Sequence, residues 1–371
     1  MDGTVIAPAA TQRGQRPKGR IREGFGLGWG EVAERVETVL TDCVATAKQR
    51  SPSGPARELW DRIEDSLEGG KRLRPQLAWL AYAAFGGDDA GVCAAAGASF
   101  EFLHGALVVH DDVIDRDVVR RGRLNIAGVY GSEAEARGFA TVDAQHLGSS
   151  VAIIAGDLLL AAAFRVMEGA VADPEKRARL LDLLHGAVTD AAIGELADVL
   201  MAHSSGSMEE VLEMERLKTA VYSFEAPLRA GALLAGARDA EVDALGRVGS
   251  LIGVAYQVID DVLGTFGDPR QTGKPVSSDL REGKLTVLTA FAGGDPDVAA
   301  HLGAQRDGRD DLVRDALARE ALHRAGADGY ALSLAHALVT EALDEARSSD
   351  LPAALRSELT RLCNHLLHRE H

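Results

Sequence analysis

The chain has 371 residues, 46% of them hydrophobic, enough for one large domain or two modest ones. Its formal net charge of −16 argues against general nucleic-acid binding. No stretch of eighteen apolar residues suggests a transmembrane segment, and the N-terminus lacks the apolar core of a signal peptide. Cys43, Cys93 and Cys363 are odd in number and unpatterned, which fits a reducing, cytoplasmic setting and neither a disulfide framework nor a zinc site.

Residues 1–28 are rich in Gly, Pro and Arg, with Arg13, Arg16, Lys18, Arg20 and Arg22, and read as a disordered basic tail. From Trp29 onward apolar residues recur three and four apart almost to the end, the helical period. Aromatic residues make up only 5%, and alternating strand patterns are absent. Residues 29–371 therefore read as one all-α domain, a single bundle of about ten or more helices. Interruptions are expected near 51–55, 86–90, 120–150, 204–207, 266–284 and 293–310.

Within this frame, several short stretches carry charge that a plain helix does not need. In EGGKRLRPQL (68–77), glycines open a loop and Pro75 suits the first turn of a helix, so Lys71, Arg72 and Arg74 project from a loop–helix start. The plain alternative is an ordinary basic helix start.

HDDVIDRDVVRRG (110–122) follows an apolar helical run. Asp111 and Asp115 are four apart and share a face, His104 lies two turns earlier on that face, and Asp112 is about 100° round. The C-terminal end of a helix disfavours negative charge, so either water solvates this cluster or a hard cation with oxygen ligands belongs to it. Arg120 and Arg121 follow, free to pair with those aspartates or with something else.

Further on, Lys218 and Thr219 lie within a helical stretch, where a solvated lysine is the ordinary reading. YQVIDDVLGTFGD (256–268) puts a second aspartate pair, Asp260 and Asp261, after another apolar run, with Gln257 one turn earlier. Lys274 and Lys284 come next, spaced by glycines. Two acidic helix ends with several cations fit a polyanion clamped between metals and basic side chains.

Taken in order, GGKRLRP, FLH before HDDVID, RRG, GDLLL (156–160), KTA (218–220) and YQxxDD with its downstream lysines resemble the trans-isoprenyl diphosphate synthases, or polyprenyl synthetases. The resemblance covers about residues 30–371. It implies a helical bundle around a deep central cavity, with the two aspartate motifs facing each other across the mouth.

An allylic diphosphate would then bind through about three Mg²⁺ ions held by Asp111, Asp115 and Asp260, with Asp112 and Asp261 orienting waters or ligands. Arg120, Lys218, Thr219, Gln257, Lys274 and Lys284 would ring that diphosphate. Isopentenyl diphosphate would sit without metal on Lys71, Arg74, His104 and Arg121. Catalysis is expected to depend most on Asp111, Asp115, Asp260 and Lys218.

One departure is visible. The family's second motif usually reads DDxxD, whereas position 264 here is Gly, so a third metal is expected to be held more loosely. In the first motif the third ligand is expected to be Asp115 and not Asp117. The growing chain would run down the helix before Asp111, past Leu107, Ala106 and Leu103; the small Ala106 points to a C20 product, geranylgeranyl diphosphate. Farnesyl or longer products are the alternatives, and a catalytically silent partner subunit is the reading of another class. Family members usually pair, so a homodimer is expected.

Overall fold

The computed structural model describes residues 26–202, 206–267, 284–302 and 311–368. Most of the expected tail, and Lys274 and Asp268, lie outside these residues. The described part is all helical apart from one two-stranded hairpin.

The helices are α1 (Trp29–Arg50), α2 (Gly54–Leu67), α3 (Leu73–Ala84), α4 (Ala90–Ile114), α5 (Ile126–Ala136), α6 (Thr141–Ala170), α7 (Pro174–Met201), α8 (Met208–Glu215), a π-helical segment (Arg216–Glu225), α9 (Ala226–Ala235) and α10 (Asp239–Phe266). C-terminal helices follow at Val287–Ala292, Pro296–Leu302, Asp311–Arg324, Ala327–Ser348 and Ala353–Leu367.

Local chemistry sets many of the starts. Ser53 accepts from the Ala56 amide ahead of α2, Asp89 from the Gly91 and Val92 amides ahead of α4, and Asp173 from the Lys176 amide ahead of α7. Pro55 and Pro174 occupy first-turn positions where a missing N–H costs nothing. Ser207 and Glu210 close a capping box on α8.

The two helices that carry the aspartate pairs are deeply packed. Helix α4 packs on α6, α1 and α3, and hides Phe100, Phe102, Leu103 and Ala106 completely. Helix α10 packs on the Ala327–Ser348 helix, the π segment and α9. Two buried frameworks thus deliver two acidic ends to one mouth.

The expected break at 120–150 is largely absent. A hairpin pairs Arg120 with Arg123, and α5 and the first turns of α6 fill the rest. Arg121 and Gly122 both have positive φ, the geometry of the tight mirror-image turn that joins hairpin strands. Glycines on both helices serve close packing here: a Cβ on Gly128 of α5 would lie 2.2 Å from the Val118 carbonyl oxygen. A Cβ on Gly148 of α6 would lie 2.3 Å from the Ala127 carbonyl oxygen. Tertiary contact here overrides helix propensity.

The hydropathy reading also needs correction. Three helices, α4, α6 and α10, are long and apolar enough to cross a membrane by length and composition. In α4 and α10, 67% of the apolar window is buried within the protein, so core packing accounts for it; in α6 only 39% is.

Candidate active site

A cavity of about 3230 Å³ opens between α3, α4, α7, the π segment and α10. Of the residues expected from sequence, Lys71, Arg74, His104, Leu107, Asp111, Asp112, Arg120, Arg121, Lys218, Thr219, Gln257, Asp260, Asp261 and Lys284 line it. Asp115 is not part of the wall but is tied to it, because Lys284 donates to Asp115 Oδ2 at 2.6 Å. Leu103 and Ala106 do not line the cavity. They are fully buried on the face that α4 turns to its helical neighbours, so only Leu107 of the expected trio faces the open space. Asp117 is also outside the wall, and its backbone amide closes on the Asp112 carbonyl.

At the acidic mouth, Lys218 is the hub. Its Nζ lies 2.5 Å from Asp198, 2.9 Å from Glu195 and 3.3 Å from Asp111. Arg120 reaches Asp112 at 2.5 Å and Asp111 at 3.3 Å. Gln257, placed by spacing beside Asp260, instead donates to Asp261 Oδ1 at 2.8 Å.

These pairs control ionisation. Burial works against the charged form of Asp111, but Lys218, Lys284 and Arg120 outweigh it and hold the carboxyl below its ordinary range. Burial wins at Asp112, which is pushed up to about 6, and also raises Asp115 and Glu195. Burial opposes the charge on Lys218 too, yet Asp111, Asp198 and Glu195 raise it well above the usual lysine range.

Glu195 and Asp198 carry no motif that sequence reading singled out. They sit three apart on one face of α7, directly after Gly194. A Cβ on Gly194 would lie 2.2 Å from the Lys218 backbone nitrogen. Across the π segment, Gly253 of α10 has the same role against Ala220, with a hypothetical Cβ 2.4 Å from the Ala220 Cβ. Glycine notches on two helices therefore admit the wide π turn between them.

The second polar region lies at the start of α3. Gly69 and Gly70 have positive φ, and Arg72 is left-handed at φ 51°. Arg72 is consumed by structure: Glu37 takes its Nε and Nη2, Glu101 takes Nη1, and the Leu67 carbonyl takes Nη2 again. Arg74 instead faces the cavity beside Tyr222, Ser223 and Glu101. His104 stacks on Tyr222 and is held in its neutral form by burial and by the surrounding arginines. Lys71 and Arg121 are exposed at the same rim. Glu101, the single acidic residue between Ala90 and Val109, was the available signal for this network.

The arrangement can hold two anions side by side, one against acidic helix ends and one against arginine, lysine and histidine. The donor set at the mouth is all oxygen, suited to a hard divalent ion. Among the described residues no three carboxylates, histidines or cysteines converge tightly enough to hold a metal unaided. Mg²⁺ takes one or two carboxylates and fills its shell with water and phosphate oxygens.

Residues 57–318 match the polyprenyl synthetase family model. The chain belongs to the polyprenyl synthetase family. It is thereby one of the isoprenyl diphosphate synthases, the prenyl-transferring enzymes its motifs resembled. A geranylfarnesyl diphosphate synthase from Aeropyrum pernix is 36% identical over 288 residues, 74% of this chain and 82% of that protein. A short chain isoprenyl diphosphate synthase from Methanocaldococcus jannaschii is 35% identical over 60% of this chain, and the match spans 62% of that relative's length. The geranylgeranyl pyrophosphate synthase of Corynebacterium glutamicum, solved with isoprenyl diphosphate and magnesium, superposes with a TM-score of 0.84 at 30% identity, over 93% of this chain and 100% of that one. The isoprenoid synthase fold expected from the resemblance is the one found.

Proposed function

We propose that this polyprenyl synthetase condenses isopentenyl diphosphate head-to-tail with an allylic diphosphate, in a Mg²⁺-dependent reaction, to give geranylgeranyl diphosphate. The observation that carries this reading is the pairing of two chemically different anion sites on one cavity. The acidic mouth needs metal to accept an anion, whereas the Lys71–Arg74–His104–Arg121 site does not.

Asp111 and Asp115 from α4 and Asp260 from α10 would hold about three Mg²⁺ ions, with Asp112 and Asp261 orienting their ligands. Bound there, Mg²⁺ supplies Lewis-acid stabilisation of the departing diphosphate. In this reading Lys218, Thr219, Gln257, Arg120, Lys274 and Lys284 bind the same diphosphate, and Lys218 and Lys284 turn from the aspartates towards its oxygens. The allylic C–O bond ionises, the isopentenyl double bond attacks the carbocation, and a proton is lost to the released diphosphate. The apolar wall beyond, including Leu107, Val108 and Ile252, keeps water from the cation.

The C20 assignment rests on a deep cavity with no aromatic side chain at Leu107, the one position of the expected trio that faces it. Similar proteins carry geranylgeranyl and geranylfarnesyl names alike, so likeness alone does not select a length. We assign the protein to the cytoplasm on its three free thiols. We also assign it a homodimeric state: Ile153 and Ile154 of α6 and Ile193 and Leu200 of α7 are each about half exposed or more, apolar surface that a second copy would cover.

The test is a product assay with Mg²⁺, labelled isopentenyl diphosphate and C5, C10 and C15 allylic primers, separating the dephosphorylated alcohols by length. A dominant C20 alcohol is expected. A C15 or longer product would refute the length assignment, and no elongation with any primer would favour a silent subunit disabled at Gly264.

A further inference from the structure

We infer that Tyr222 and Ser223 are positioning residues that aim Arg74 at the metal-free diphosphate site, and that the π turn exists to bring them there. The inference rests on the reading above of that site as the one for isopentenyl diphosphate.

Arg74 has a long side chain, and holding it in one pose costs rotamer freedom unless partners fix it. Three partners do. Arg74 Nη2 donates to Ser223 Oγ at 2.8 Å and to the Tyr222 hydroxyl at 3.3 Å. Its guanidinium carbon lies 4.8 Å from the Tyr222 ring centroid, a cation–π contact. Glu101 pairs with Nη1 at 3.6 Å and is itself anchored by Arg72, which Glu37 grips through two bonds.

The fork is therefore held along one edge, while Arg74 Nε is buried with no hydrogen-bond acceptor. A buried guanidinium donor left unmet costs free energy, and an incoming diphosphate oxygen would meet it. The Tyr222 hydroxyl also lies 3.4 Å from His104 Nδ1, so one side chain steadies two residues of the site.

The π geometry supplies the reason both hydroxyls can serve. Lys218, on the same segment, points into the acidic mouth. In an ordinary α-helix Tyr222 would share its face, but Ser223, five residues on, would lie roughly 140° away. Bonding from i to i+5 widens the turn so that residues four and five on flank the same face. Tyr222 and Ser223 are 8% and 2% exposed and both line the cavity.

The experiment uses the full chain and variants Ser223→Ala, Tyr222→Phe, the double variant and Ser223→Thr. Isopentenyl diphosphate binding is measured by titration calorimetry without metal or allylic primer. Steady-state kinetics then separate KM for each substrate from kcat, with circular dichroism verifying folding. Ser223→Ala is expected to weaken isopentenyl diphosphate binding about tenfold and the double variant further. KM for the allylic primer and kcat at saturating isopentenyl diphosphate should stay within about twofold, and Ser223→Thr should restore affinity. Unchanged binding in the folded double variant overturns the inference while leaving the function intact. Equal losses for both substrates also overturn it, since they mark a general structural role. If the wild type itself binds no isopentenyl diphosphate without metal, the underlying reading of the site fails as well.

Discussion

Lys218 offers the sharpest quantitative test of the acidic mouth. Replacing it with methionine keeps the apolar stem and removes only the charge. Three carboxylates then lose a cation: Asp198, 7% exposed, at 2.5 Å; Glu195, 21% exposed, at 2.9 Å; and Asp111, 25% exposed, at 3.3 Å. Asp111 keeps Arg120, so the loss falls mainly on Asp198 and Glu195. Removing one partner from a buried ion pair costs about 3–5 kcal/mol, and the lower end suits a cluster with a fifth of its surface open.

The cost should depend on pH in a definite direction. Burial already holds Glu195 above its ordinary value even with Lys218 lowering it. Without Lys218 its folded pKa rises further above the unfolded one. The folded variant then binds more protons than the unfolded chain at mildly acidic pH, so the deficit is full when the carboxylates are ionised and shrinks as pH falls. Urea unfolding of the ligand-free protein at pH 8 and pH 5.5 would measure this. A deficit below about 1 kcal/mol at pH 8, or one equal at both pH values, refutes the picture of Lys218 as the neutralising hub.

Three further outcomes follow from the same geometry. Asp111→Ala and Asp260→Ala should each lower turnover by about 10³-fold, roughly 4 kcal/mol of barrier, whereas Asp117→Ala should be mild; an Asp117 loss as deep as that of Asp115→Ala would reverse the choice of third ligand. Gly194→Ala should destabilise the fold by about 1–3 kcal/mol, because its Cβ collides with the Lys218 backbone, and should lower kcat. Wild-type melting and kinetics would show that the π segment does not need that notch. Leu107→Phe should shorten the product, since Leu107 faces the cavity; an unchanged chain length in the product assay would take this position off the path of the growing chain.

Spacing alone determined the helical fold, the acidic ends at Asp111–Asp115 and Asp260–Asp261, and the basic start at Lys71–Arg74. Each depends on the 3.6-residue period, on a cap or on a glycine turn, and such rules act between near neighbours in the chain. What each charge touches depends on distant segments. Arg72 and Arg74 look alike in GGKRLRP, yet one is spent on Glu37 and Glu101 while the other faces the cavity. Ala106 and Leu107 are adjacent, and only one meets open space. Glu195 and Asp198 join the mouth because Gly194 lets the π segment approach α7. The side chain on one residue reports its chemistry, whereas its partner is chosen by close packing between helices far apart in sequence. Local pattern therefore revealed the chemistry of this protein, and only the packed bundle decided which of its charges can face one another.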